Sequence, residues 1–354
     1  MARLKREHLF ILLALAIAAV IIPNSFLRPW LPRPGSLATG TAAPTADEFA
    51  NEYEQALLLA SSSPLDALPL LQNISLSGSV NAGNARVVAH AILAARLSGD
   101  LAYLLTETGR ALATIDEWAL ARLTLLQAVE QTPGYAEAWA FLGEAQQQNE
   151  DDGFSALQRA LELDPQSVSA NLFTALYWQR RGDFIEADKY LHIATLISPA
   201  DPSILIQWGQ NAVLKGDVIA ARERFERAAE LSPDDQQVWK TVAGYSIDSE
   251  LFVEELGLPA ARMLLQERVT DVEALTLLAR GYLLLGETEI AVTFFERAIN
   301  TKPDYAGAHL HYGLFLLASD ELEEARFHLD IVIALSPGSR EAEIAARWIG
   351  LTYQ

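Results

Sequence analysis

The amino-acid sequence predicts an all-α fold in which pairs of helices stack one on the next. Prolines recur at a nearly constant interval, and the segments between them have the apolar spacing of helices. The prolines are separated by 32, 34, 34, 70 and 34 residues and are Pro133, Pro165, Pro199, Pro233, Pro303 and Pro337. The interval of 70 contains two periods, because the repeat near Val269 lacks its proline. Since proline ends helices, this period favours an array of helix pairs.

Glycine, alanine and a large apolar residue recur in register within the periods. Gly182, Gly216 and Gly286 are predicted to end the first helix of a pair, because the left-handed turn there suits glycine. Alanines in the second helix allow two helix backbones to approach closely, and the apolar residue between them fills the seam. These positions are Ala187, Leu191 and Ala194 in one repeat, Ala221, Phe225 and Ala228 in the next, and Ala291, Phe295 and Ala298 in a later one.

These motifs resemble the tetratricopeptide repeat (TPR) family over about residues 101–338, or six repeats. One repeat is degenerate, because Gly244 and then Gly257-Leu258-Pro259 depart from the pattern after Trp239. The resemblance implies a right-handed superhelical solenoid of helix-turn-helix repeats. A generic helical bundle is the alternative, but a bundle does not require glycine, alanine and proline in a shared register.

Three segments flank the repeats. Residues 31–46 are rich in proline, glycine, alanine and threonine and are predicted to be a flexible linker. Residues 47–100 have helical patterns without the repeat motifs, so they are a divergent helical cap or degenerate repeats. Residues 339–354 are predicted to form a capping helix over the last apolar face of the array.

The first 30 residues combine a basic lead with an apolar run. Leu9–Ile22 contains 14 uninterrupted apolar residues, and counting on through Leu27 gives 19 residues, enough for a membrane span. No small-x-small cleavage site follows directly, so we predict an uncleaved signal anchor in residues 1–30. A cleaved signal peptide and a buried helix are the alternatives. The basic lead predicts a single-pass membrane protein with its C-terminal domain outside the cytoplasm, or a secreted or periplasmic protein after cleavage.

The charge is negative and unevenly distributed. The net charge is −20, yet residues 1–33 carry five basic residues and one acidic residue, so they hold +4 and the remainder holds −24. Such an acidic body repels phosphates, so we expect no nucleic-acid partner. The chain has no cysteine, which excludes disulfides, thiol catalysis and thiolate metal sites. No catalytic, phosphate-binding or metal-binding motif occurs, so we expect no enzyme activity, cofactor or metal.

The TPR resemblance implies a concave groove, lined by the first helix of each repeat, that binds a protein or peptide partner. The register gives these groove residues: Phe141, Glu144, Gln148, Phe173, Leu176, Gln179, Gln207, Gln210, Lys240, Arg280, His311 and Leu314. Family members that clamp a C-terminal carboxylate use lysine, asparagine and arginine there, whereas these residues are mostly apolar or glutamine. Packing between repeats is an equally good explanation for Phe141 and Phe173.

The sequence therefore predicts a membrane-anchored, non-enzymatic scaffold that presents a TPR groove outside the cytoplasm. The alternative is an accessory subunit of an envelope assembly system of the bacterial cell, such as secretion, pilus or cell-surface polysaccharide machinery. Lys240 and Arg280 would pair with acidic groups of the partner, and Phe173 and Leu176 would offer apolar contacts beside them.

Overall fold

A computed structural model describes residues 50–352 of the chain. Within this range the protein contains eighteen α-helices and no strand. The chain divides into two compact units between Asp217 and Val218. We call residues 50–217 the first unit and residues 218–352 the second unit, and we describe each by itself.

The first unit contains ten helices. They are α1 (Ala50–Ser62), α2 (Pro64–Leu76), α3 (Ala82–Ala95), α4 (Leu101–Thr114), α5 (Trp118–Gln131), α6 (Ala136–Gln148), α7 (Phe154–Leu163), α8 (Val168–Arg180), α9 (Phe184–Ile197) and α10 (Pro202–Leu214). Helices α4 and α5, α6 and α7, and α8 and α9 pack as antiparallel pairs, and α6 also packs beside α8. Between α8 and α9, Leu172, Ala175, Ala187 and Leu191 form a fully buried cluster.

The second unit contains eight helices. They are α11 (Val218–Leu231), α12 (Gln236–Asp248), α13 (Leu258–Glu267), α14 (Val272–Leu284), α15 (Thr288–Thr301), α16 (Ala306–Ala318), α17 (Leu322–Leu335) and α18 (Arg340–Thr352). Helix α14 packs against α15 and α16, and α16 packs against α17. Helix α18 packs on α17, with the side chain of Ala345 fully buried.

Short-range interactions fix where the helices begin and end. The carboxylate of Asp100 accepts hydrogen bonds from the backbone N–H groups of Ala102 and Tyr103 at the start of α4. After α8 the chain turns at Gly182 with φ 76°, and after α14 it turns at Gly286 with φ 80°. Only glycine adopts this left-handed conformation without steric cost, so the glycine register predicted these turns for a physical reason.

The degenerate repeat departs from the others between its two helices. After α12 the chain passes Phe252, whose φ is 54°, and enters a π-helical turn over Val253–Gly257 before α13. A Cβ atom on Gly257 would lie 2.8 Å from Ser246 Oγ, so the close approach of this turn to α12 requires glycine.

None of the helices within residues 50–352 is long and apolar enough to cross a membrane. The predicted signal anchor in residues 1–30 and the predicted linker in residues 31–46 lie outside the described residues.

Candidate functional site

The first helices of three successive repeats in the first unit carry adjacent side chains on one face. We call this the first-helix face, and it consists of Phe141 and Glu144 from α6, Phe173 and Leu176 from α8, and Gln207 and Gln210 from α10. The rings of Phe141 and Phe173 meet edge to face, with centroids 5.0 Å apart. All six residues are at most 4% exposed. The first-helix face therefore combines apolar side chains with three buried polar ones.

The carboxylate of Glu144 is neutralised by an arginine one repeat later. Arg180 donates from both Nη atoms to the two carboxylate oxygens, with Nη1 2.9 Å from Oε2. Gln148 Nε2 donates to Glu144 Oε1 at 2.8 Å. Because the arginine pairing is bidentate and the carboxylate is buried, the pair locks α6 to α8. The residues predicted to line the groove do not include Arg180, although it lies 36 residues after Glu144, which is close to the length of one repeat.

The amides of Gln207 and Gln210 have no such partners. Nε2 and Oε1 of Gln207 and Oε1 of Gln210 are buried without a hydrogen bond in the part of the chain that the structure describes. Gln179 differs, because its Nε2 lies 3.2 Å from Asn211 Oδ1 and donates to it. A buried donor or acceptor without a partner costs about 1–3 kcal/mol. A bound group that both donates and accepts would remove this cost.

Acidic groups lie at the start of α6, one turn before Phe141. Burial raises the pKa of the Tyr135 hydroxyl to about 12, and the nearby Glu137, Glu107 and Asp100 raise it further. Burial also raises the pKa of Glu107. Glu137 accepts hydrogen bonds from the hydroxyls of Ser167 and Ser169, at 3.2 and 2.5 Å. These carboxylates already have partners within the first unit, since Glu107 also forms an ion pair with Arg110 at 2.7 Å.

The remaining four predicted groove residues lie in the second unit. Lys240 forms an ion pair with Glu273, and Arg280 forms one with Asp248. Both pairs join α12 to α14, so these cations stabilise the packing of neighbouring repeats and are already paired with carboxylates of the chain. Leu314 is 3% exposed. Burial lowers the pKa of His311 well below its usual value, and Arg280 lowers it further, so the imidazole is neutral at pH 7.

The structure thus separates the twelve predicted residues into eight in the first unit and four in the second.

Within residues 50–352, no three histidine, aspartate or glutamate side chains come together in a metal-binding arrangement.

A family model described as "Tetratricopeptide repeat" matches residues 106–168 and 276–340. The helix pairs within these two ranges match tetratricopeptide repeats. The matched ranges fall in both units and include α6 in the first unit and the pair of α16 and α17 in the second unit.

Curated proteins match part of the chain. "Peroxisomal targeting signal receptor" of Pichia angusta is 34% identical over 143 residues, which cover 37% of this chain and 22% of that protein. "PEX5-related protein" of Homo sapiens is 26% identical over 201 residues, covering 56% of this chain and 28% of that protein. The chain thus spans between a fifth and a third of the length of these relatives.

Among solved structures, a tetratricopeptide repeat protein from Parabacteroides merdae has a TM-score of 0.52 at 16% identity, covering 72% of this chain and 99% of that chain. Yeast Tom70 has a TM-score of 0.55 at 13% identity, covering 98% of this chain and 71% of that chain. At these identities the structural likeness concerns the fold.

The predicted localisation, a single-pass membrane protein with its C-terminal domain outside the cytoplasm, is wrong. The relatives that match are named as peroxisomal targeting signal receptors, and none of them is named as an envelope protein.

Proposed function

We propose that this chain is a non-enzymatic scaffold that binds a peptide segment of a partner protein on the first-helix face of the first unit. The observation that carries the proposal is the buried amide of Gln207 together with the buried amide oxygen of Gln210, which have no hydrogen-bond partner within the described residues. The name of the Pichia angusta relative supports the class of ligand, since a targeting signal is a segment of another protein.

The chemistry of the first-helix face fits a peptide main chain. Each peptide unit offers one N–H donor and one C=O acceptor, and a glutamine side chain can accept and donate in return. Phe173 and Leu176 lie on the neighbouring helix and form the apolar part of the same face. Arg180 is committed to Glu144, so the peptide is held by main-chain hydrogen bonds and apolar contacts rather than by its charge.

A double substitution, Gln207→Met with Gln210→Met, tests the proposal in the full chain. Methionine has nearly the volume of glutamine but no hydrogen-bonding amide, so the variant should be at least as stable as the wild type. Its affinity for peptides selected from a random twelve-residue display library should fall about tenfold or more, which fluorescence polarisation measures.

Gln158→Met is the matched control, because Gln158 lies exposed on the second helix α7. The control should bind the selected peptides like the wild type. Peptides that bind the double variant as tightly as the wild type would move the binding site away from the first-helix face. A library from which no peptide is enriched would contradict the function itself.

A further inference from the structure

We infer that residues 252–257 of the second unit form a strained strap, which opens while the helices on both sides of it stay folded. The strap joins α12 to α13 in the degenerate repeat and includes the π-helical turn over Val253–Gly257. The inference does not depend on the proposed function, because the first-helix face belongs to the first unit.

The strap begins with backbone strain at Phe252. Its φ is 54°, whereas every other described residue with a positive φ is glycine, aspartate or glutamate. Glu250, with φ 58°, occupies the position after a helix end that Gly182 and Gly286 occupy in other repeats. An aromatic side chain in the left-handed region crowds its own backbone, so Phe252 raises the free energy of the closed strap.

The guanidinium of Arg222 holds the ring of Phe252 in place. The Cζ atom of Arg222 lies 5.5 Å from the centroid of the ring, which is within the range of a cation–π interaction. Its Nε atom donates to Glu226 Oε1 at 2.7 Å, so α11 orients the guanidinium. Because the side chain of Arg222 is 41% exposed, this contact is weak and little free energy keeps the strap closed.

The flanking helices have contacts that do not involve the strap. Asp248 at the end of α12 pairs with Arg280 of α14, and Ser246 Oγ donates to the carbonyl of Leu251. Helix α13 packs against α12 and α14, and its Leu264 is buried. Since these contacts remain when the strap opens, the opening is local.

Opening of the strap exposes apolar side chains. Val253 and Leu256 are 7% and 6% exposed in the closed strap, whereas Glu254 and Glu255 between them are exposed. Carboxylates on adjacent residues repel each other, which also favours the open form. The open form therefore presents two apolar side chains that the closed form hides.

Cysteine labelling in the full chain measures the opening, because the natural sequence has no cysteine. Val253→Cys reports on the strap, and Val242→Cys, at a 0% exposed position of α12, reports on unfolding of the helix. N-ethylmaleimide at constant pH should label Val253→Cys at least tenfold faster than Val242→Cys. Adding Arg222→Gln should speed the labelling of Val253→Cys about threefold. Glu226→Gln is the matched control, because it leaves the guanidinium over Phe252, and it should not change the rate.

A second experiment separates strain from packing. Phe252→Ala and Phe252→Gly both remove the ring, but only glycine adopts a φ of 54° without steric cost. Hydrogen exchange of the backbone amides of residues 252–257 should therefore be about fivefold slower in Phe252→Gly than in Phe252→Ala. In an unstrained segment the glycine variant would exchange faster, because glycine has the greater conformational freedom.

Equal labelling of Val253→Cys and Val242→Cys would mean that the helices unfold together with the strap, and it would overturn the inference. Equal acceleration by Arg222→Gln and Glu226→Gln would overturn it too, as would hydrogen exchange in Phe252→Gly that is as fast as in Phe252→Ala. Hydrogen exchange in α16 and α17 should stay unchanged in every variant, and faster exchange there would contradict a local opening.

Discussion

His309 and His328 form a buried, hydrogen-bonded pair of imidazoles in the second unit. His309 Nε2 donates to the carbonyl of Pro303 at 2.9 Å, so its Nδ1 accepts a hydrogen bond from Nδ1 of His328 at 2.8 Å. Burial lowers the pKa of His328 to about 4, and the neighbouring His309 lowers it further. Because this pKa lies below that of an unfolded histidine, near 6.5, neutral His328 contributes its full stability above about pH 6.5 and loses the contribution as the pH falls toward 4.

We therefore expect the wild type to lose about 1–2 kcal/mol more stability than His328→Gln between pH 7 and pH 4.5. Hydrogen exchange in α16 and α17 measures the loss where it should occur. His90→Gln is the control, because His90 is exposed in the first unit. An identical pH dependence in the wild type and in His328→Gln would show that the pair does not titrate with unfolding.

At the same scale, the sequence predicted backbone conformation better than side-chain pairing. Gly182 and Gly286 could be placed in left-handed turns because one steric rule governs a single residue. The partners of Lys240 and Arg280 could not be assigned, because each pairs with a carboxylate about one repeat away. The register gives each residue's position on its own helix. Whether its side chain pairs with a neighbouring helix or with a bound partner protein depends on distances that only the packed structure provides.

At the scale of the element, each second helix depends on a buried alanine. Ala291 is 0% exposed in α15, which packs against α14, and Ala221 is equally buried in α11. Ala291→Leu should overpack this seam and cost roughly 1–3 kcal/mol. Because repeats couple mainly to their neighbours, hydrogen exchange should rise most in α14 and α15 and remain unchanged in α1 to α5.

Ile290→Leu provides the comparison for that substitution, since Ile290 is next in sequence yet 41% exposed. Its stability should stay close to that of the wild type. Equal melting temperatures for Ala291→Leu and Ile290→Leu would refute the alanine register on which the repeat boundaries rest.

The degenerate repeat shows which features of a helix pair the sequence pattern could not predict. Gly257-Leu258-Pro259 showed from sequence that the motif breaks, and Pro259 does lie in the first turn of α13. The π-helical turn before α13 was not predictable, because the spacing of apolar residues does not reveal a local change in backbone hydrogen bonding. The same holds for Gln207 and Gln210, whose lack of partners is a property of the packed unit and not of either residue type.

For the whole molecule, the repeat period predicted the tetratricopeptide fold because it is a property of many residues at once. The localisation failed because it depended on one apolar run, whose composition suits a membrane and a protein surface alike. Leu9–Ile22 would bury the same apolar area in either setting, so hydropathy alone does not separate them.

The net charge of −20 also makes a prediction for the whole chain. An excess of like charge destabilises the compact state, and salt screens it over a Debye length of about 10 Å at 0.1 M. Salt also weakens ion pairs, but pairs such as Arg227–Glu230, with side chains 57% and 65% exposed, contribute at most about 1 kcal/mol each. We therefore expect the melting temperature, followed by circular dichroism, to rise between 20 and about 500 mM NaCl. A control series with added sucrose at constant ionic strength shows how much the exclusion of a solute from the protein surface raises the melting temperature. A melting temperature that falls with NaCl would mean that the ion pairs outweigh the repulsion.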